Sequence, residues 1–228
     1  MKKLLLAACF FATLHTTAQT IQPRVVGDFT AINCAAGMDV ELTQGTENKV
    51  SVSASEDIYL PEIKTEVQNG VLKIYADYKE KSWKKNKKLK AFVTYKSIDK
   101  LNGGSGAIIK TINTMSVPAL KMEMGSGATF TGEIKVTDLN VDISSGAVTK
   151  ITGTAANVKA DASSGTVFTG TDLLAENCTV NASSGSVFKI SVSKKMNAKA
   201  SSGASISYKG EAELENKNVS SGGTVRKM

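Results

Sequence analysis

Two aspartates, Asp142 and Asp161, stand 19 residues apart within segments of the same alternating pattern. If that pattern is a stacked coil, both face the same side on neighbouring rungs. Paired carboxylates so placed can act as acid and base in glycoside cleavage, as acids on adjacent coils do in β-helical polysaccharide-degrading enzymes. The rest of such a cleft is missing. Aromatic residues make up 6% of the chain, and Arg24 and Arg226 are its only arginines. A ladder of like charges relieved by Lys159 and Asn181 fits the pattern better than a catalytic pair.

The sharpest anomaly of composition is Lys79-Glu80-Lys81-Ser82-Trp83-Lys84-Lys85-Asn86-Lys87-Lys88-Leu89-Lys90, seven lysines with one acid and the only tryptophan. Lys81, Trp83, Lys84, Lys85, Lys87 and Lys88 are the candidate binding residues. A cationic loop with one indole can grip an anionic polysaccharide, lipopolysaccharide phosphates or nucleic acid through charge and ring stacking. The plain alternative is a solvated hairpin tip with Trp83 folded onto its own strand. Outside this loop and the first 18 residues the chain is close to neutral, with 19 basic and 20 acidic residues. So local a charge argues against a specific nucleic-acid protein or one lying flat on a membrane.

Other chemistry is excluded by what export removes. Residues 1–18 have the parts of a cleavable signal peptide: Lys2 and Lys3, an apolar run over residues 4–14, and small residues ending at Ala18. Leu6-Ala7-Ala8-Cys9 also fits a lipoprotein box with Cys9 lipidated, but the apolar stretch before it is short and Phe10-Phe11 continues it. Cleavage removes His15, the only histidine. Without an imidazole, Ser-His-Asp and Cys-His nucleophiles, histidine zinc sites and histidine bases fall away. The acids lack Asp-x-Asp-x-Asp-Gly spacing, so neither a metal nor a cofactor is expected. No later segment has the roughly 20 apolar residues of a membrane span.

The elements that must position these groups come from an internal repeat. Gly-Ser-Gly or Ser-Ser-Gly recurs with its last serine at Ser105, Ser126, Ser145, Ser164, Ser184, Ser202 and Ser221, at spacings of 18 to 21 residues. Between these turns side chains alternate with period two, the mark of strands. Three columns are mostly apolar: Met124, Ile143, Ala162, Ala182, Ala200 and Val219; Met122, Val141, Ala160, Val180 and Ala198; Leu120, Leu139, Val158, Cys178 and Met196. A further column of Phe130, Phe168 and Phe188 follows the turns. Asp142, Asp161, Asn181 and Lys199 fall between, facing solvent. The architecture expected is all-β, a single-chain parallel β-helix with coils of about 19 residues stacked about 4.8 Å apart.

Glycine at each corner implies a positive φ or a close backbone approach. The serines beside it could present a row of hydroxyls to a sugar, or simply satisfy the turn backbone. The last coil places Glu215 and Lys217 in apolar columns, which would keep the solenoid end from pairing. Residues 101–228 read as regular coils. Residues 25–100 read as wider coils continuous with them, with a hairpin at Asn69-Gly70 and the lysine loop. Cys34 and Cys178 fall at inward positions several rungs apart, so two free, buried thiols are expected.

Gly27-Asp28-Phe29, Ile32 and Gly37-Met38-Asp39-Val40-Glu41-Leu42-Thr43-Gln44-Gly45, followed by Ser-Ser-Gly coils, resemble the putative auto-transporter adhesin, head GIN domain family over about residues 27–210. The resemblance implies a secreted or periplasmic β-helical protein of Gram-negative bacteria. With it, the sequence reads as a non-enzymatic, adhesin-like envelope protein that binds glycans or a protein partner through a solenoid face. The alternatives are a carbohydrate-active enzyme using Asp142 and Asp161, or a structural module of an envelope complex.

Overall fold

When successive coils repeat the same alternation, their apolar faces stack into columns and bury one another. The computed structural model describes residues 20–78 and 87–228, and they form a β-solenoid of about 7 turns with coils of about 19 residues. Parallel pairing aligns Leu120, Leu139, Val158, Cys178 and Met196 rung by rung, as the alternation requires, and aligns the two neighbouring columns likewise. Phe168 and Phe188 stack with centroids 4.3 Å apart. Thr149 takes the rung between Phe130 and Phe168 in that column, and is fully buried.

Each coil turns one sharp corner. The corner serines have φ between 47 and 56° and the glycines after them between 70 and 75°. Two successive left-handed residues closed by an i to i+3 bond, such as Ala107 N–H to Gly104 O at 3.0 Å, make a type I′ turn. An alanine Cβ at Gly106, Gly127, Gly146, Gly165, Gly185 or Gly203 would meet nothing within 4 Å, so the positive φ selects glycine there. The glycine N–H donates to the serine carbonyl one coil further on, as Gly146 does to Ser164 at 3.0 Å and Gly165 to Ser184 at 2.9 Å. Corners are thereby hydrogen-bonded along the axis.

The first half joins this stack out of chain order. Strands Ala31–Cys34 and Asp39–Gln44 form a coil around Ala36 and Gly37, and Gly37 N–H donates to Ser105 O at 2.9 Å. That coil lies between Lys100–Gly103 and Ile108–Thr111 on one side and Val71–Ala76 and Leu89–Tyr95 on the other, all parallel. Val71–Ala76 and Leu89–Tyr95 thus make an outer rung of the stack. Beyond it the pairing becomes antiparallel. Ile63–Gln68 returns along Val71–Ala76 through the Asn69-Gly70 hairpin turn, Lys49–Ala54 lies on Leu89–Tyr95, and Ile21–Arg24 lies on Lys49–Ala54.

The far end departs from the expected columns. A register shift between Met196 and Asn197 pairs Leu214 with Met196 and Asn216 with Asn197. Glu215 is therefore the extra residue of a bulge and not a member of the apolar column. Its carboxylate turns to Lys195 at 2.6 Å and Asn197 at 3.1 Å, which spares the core a buried charge. Lys217 does occupy its expected rung, opposite Ala198, and is exposed, as is Val219 opposite Ala200, because no further coil among the described residues covers this end.

Candidate functional site

Two flanks meet at the Ser-Gly corner, and the flank entering it carries the polar residues singled out above. Asn102, Glu123, Asp142, Asp161, Asn181 and Lys199 share one outward row, each paired with the next. Two positions later in each repeat comes the first corner residue: Gly104, Gly125, Ser144, Ser163, Ser183 and Ser201. Residues two apart on a strand face the same way, so acid or amide and hydroxyl stand side by side. Between these rows runs a shallow furrow of two hollows of about 350 and 380 Å³ that meet at Asp142. Small side chains at the corner leave the space, and long ones in the outward row form its wall.

The charges along this wall are mostly answered from within. Glu123 accepts from Lys121 at 2.7 Å and Lys100 at 3.0 Å. Those ammonium groups, Lys121 first, hold its carboxyl below the usual range. Asn181 donates from Nδ2 to Asp161 Oδ1 at 2.9 Å. On the same flank, further from the corner, Asn157 donates to Asp138 at 2.9 Å and Asn177 to Asn157 at 3.0 Å. The structure brings Asp142 and Asp161 to neighbouring rungs. Both are exposed on an open flank. A division into acid and base needs environments that push two carboxyl groups apart, by burial of one or close approach of like charge. Here one carboxylate is hydrogen-bonded to an amide, and neither is buried.

Of the lysine-loop candidates, Lys81, Trp83, Lys84 and Lys85 lie outside the described residues, as does the signal segment 1–18. Lys87 and Lys88 stand at the loop's return. Lys88 is exposed and its carbonyl accepts from the Ser55 N–H at 2.9 Å. Lys87 turns inward, its side chain 5% exposed. Its Nζ lies 2.8 Å from Glu62 Oε2 and 4.5 Å from the Tyr59 ring centroid. Tyr78, on the other limb, donates its hydroxyl to Ala36 O at 3.0 Å, which ties the base of the loop to the neighbouring corner. Sequence reasoning missed Glu62 and Tyr59, which come from the short 3-10 helix Asp57–Glu62 and carry no motif. The furrow's serine wall was recoverable, because Asp161 and Ser163 have the i, i+2 spacing that puts them on one face.

With this geometry in hand, comparison with known proteins gives a family. The family described as putative auto-transporter adhesin, head GIN domain, matches residues 28–212. The chain belongs to this family. Solved structures with the same fold include a putative adhesin from Bacteroides fragilis (18% identity, TM-score 0.82, covering 93% of this chain and 98% of that one). A putative adhesin from Parabacteroides merdae is 14% identical with TM-score 0.73, covering 93% and 97%. A putative lipid binding protein from Parabacteroides distasonis is 17% identical with TM-score 0.67, covering 93% and 98%. At these identities the likeness is one of fold. No curated protein matches the chain.

Proposed function

We propose that this member of the adhesin family is a non-enzymatic protein of the cell envelope that holds an extended glycan along the furrow beside the Ser-Gly corners. The carrying observation is the repetition of hydroxyl, amide and carboxylate groups at one-rung intervals along an open trough. Ser163, Ser183 and Ser201 stand on one side, with Asp161, Asn181 and Lys199 on the other. Sugar hydroxyls both donate and accept, and this set meets both needs over several rungs. Asp142 and Asp161 are contact groups in this reading, not acid and base.

An adhesin family points to an extracellular or envelope location, and no helix among the described residues is long and apolar enough to cross a membrane. Export through a signal peptide at residues 1–18 supplies the route in this proposal. The lysine-rich segment, with Lys81, Trp83, Lys84, Lys85 and Lys88, then acts as a second contact for anionic glycan. Affinity electrophoresis in gels containing single polysaccharides tests the furrow. The Asp161→Asn/Ser163→Ala/Asn181→Ala variant should lose about tenfold or more in affinity for whichever polysaccharide retards the native protein, from several hydrogen bonds of about 1 kcal/mol each. Retardation unchanged by the triple substitution removes the furrow as the site.

A further inference from the structure

The flank leaving the corner carries a second surface, built from residues the furrow does not use. Its second row places Lys110, Lys150, Lys189 and Arg226 on every second rung, with Thr131 and Thr169 on the first two rungs between and Ser207 on the third, where it is buried and its Oγ accepts from Arg226 Nε at 3.1 Å. Cation and hydroxyl alternate strictly. At about 4.8 Å per rung the cations stand about 9.6 Å apart and the four together span about 29 Å. The row contains no acid from Lys110 to Arg226, and the row nearer the corner, with Thr129, Val167 and Val187, is uncharged. Lys110, Lys150 and Lys189 enter no ion pair among the described residues, whereas Lys100, Lys121 and Lys195 on the other flank each have a carboxylate. A row meant only for solubility mixes both signs, as the entering flank does. A row of one sign, set on a rigid sheet, calls for anions from outside.

We propose that this row docks a linear anionic polysaccharide bearing one negative group on every second sugar. An extended pyranose chain advances by about one rung per sugar, so such a polymer brings each anion to a cation and two of the intervening sugars to the hydroxyls of Thr131 and Thr169. Ile108 and Val148, 41% and 43% exposed in the adjoining row, give the C–H face of the sugar rings an aliphatic strip to lie on. Duplex nucleic acid, with a phosphate about every 3.4 Å along each strand, does not share this period. A bilayer presents its charge over an area, and the cations here stand in single file.

The test uses hyaluronan, whose carboxylates fall on alternate sugars, polygalacturonate, with one on each sugar, duplex DNA and anionic vesicles. The full chain should bind hyaluronan oligosaccharides with affinity rising to about eight sugars, the span of the row, and falling with salt. Replacing Lys110, Lys150, Lys189 and Arg226 with Gln should weaken this about tenfold or more. A control with Lys49, Lys96, Lys135 and Lys217 replaced by Gln has the same net charge and should change it less than twofold. Thr131→Lys/Thr169→Lys, which fills the intervening rungs, should strengthen polygalacturonate binding more than hyaluronan binding. Equal losses in the row variant and its control, or tighter binding of DNA or vesicles than of hyaluronan, overturn the proposal. The furrow reading stands or falls separately, because Asp161→Asn/Ser163→Ala/Asn181→Ala leaves this row intact; loss of hyaluronan binding in that variant alone would move the site to the furrow.

Discussion

Replacing Gly165 and Gly153 by alanine separates the two reasons a solenoid needs glycine. Gly165 closes a corner at φ +70°, and an added Cβ there meets nothing within 4 Å. Alanine then bears only the left-handed backbone penalty of about 1–2 kcal/mol, offset by about 0.4–1 kcal/mol from a stiffer unfolded chain. The net loss is about 1 kcal/mol, and Gly165→Asn should lose less, since asparagine tolerates this conformation best among the other residues. Gly153, at φ +109°, differs because its added Cβ would lie 2.0 Å from the Ile134 carbonyl oxygen on the neighbouring rung. Two backbones must part, and a loss of about 3 kcal/mol or more follows. Urea unfolding followed by circular dichroism measures all three variants, and an unchanged m-value keeps the comparison on stability alone. If Gly165→Ala costs as much as Gly153→Ala, corner glycines are selected by packing and the turn assignment is wrong.

Other expectations follow from buried groups. The Thr149 hydroxyl is buried without a hydrogen-bond partner among the described residues, so the isosteric Thr149→Val should stabilise by about 1 kcal/mol in thermal melts; destabilisation would reveal a hidden partner. Lys87→Ala takes the ammonium from a largely buried Glu62 and should cost about 3 kcal/mol, much of it recovered when Glu62 and Lys87 are both replaced by Met. Cys34 and Cys178 are free and buried, with burial raising both thiols, Cys178 to about 12. They lie five rungs apart, about 24 Å, so labelling without reductant should modify neither of these two cysteines before denaturation and both after it. Glu123 has a lowered carboxyl, so its contribution to stability is complete above its unfolded value near 4.3 and is lost as pH falls through the lower folded value. Glu123→Gln should flatten that acid limb, which stability curves in buffered urea between pH 2 and about 6 would show.

Much of the second half was legible because one period governs it. Once Ser126, Ser145 and Ser164 set the phase, the alternation assigns Leu139 inward and Asp142 outward with no further information. The order of coils in the first half was not legible. Val71–Ala76 and Ala31–Cys34 are joined by parallel pairing across about 40 residues, and no local propensity records which neighbour a strand takes. Glu215 was misplaced for a related reason. A bulge shifts phase by one residue and has no fixed signature, and only the burial it avoids explains it. At the candidate site the acids, amides and serines could be read as rows, but the trough between them depends on side-chain length across a corner. The inward turn of Lys87 depends on Glu62, which stands 25 residues earlier.

In the proposed function the solenoid binds glycan without changing it. The most direct measurement incubates the purified protein with neutral and anionic polysaccharides, follows retention by affinity electrophoresis, and follows polymer length by size-exclusion chromatography on the same samples. Retention by at least one extended polysaccharide is expected, weakened by the furrow or the row variant, with every polymer eluting at its starting length. Shortened polymers, with the shortening abolished by Asp142→Asn or Asp161→Asn, would make those carboxylates catalytic and contradict it.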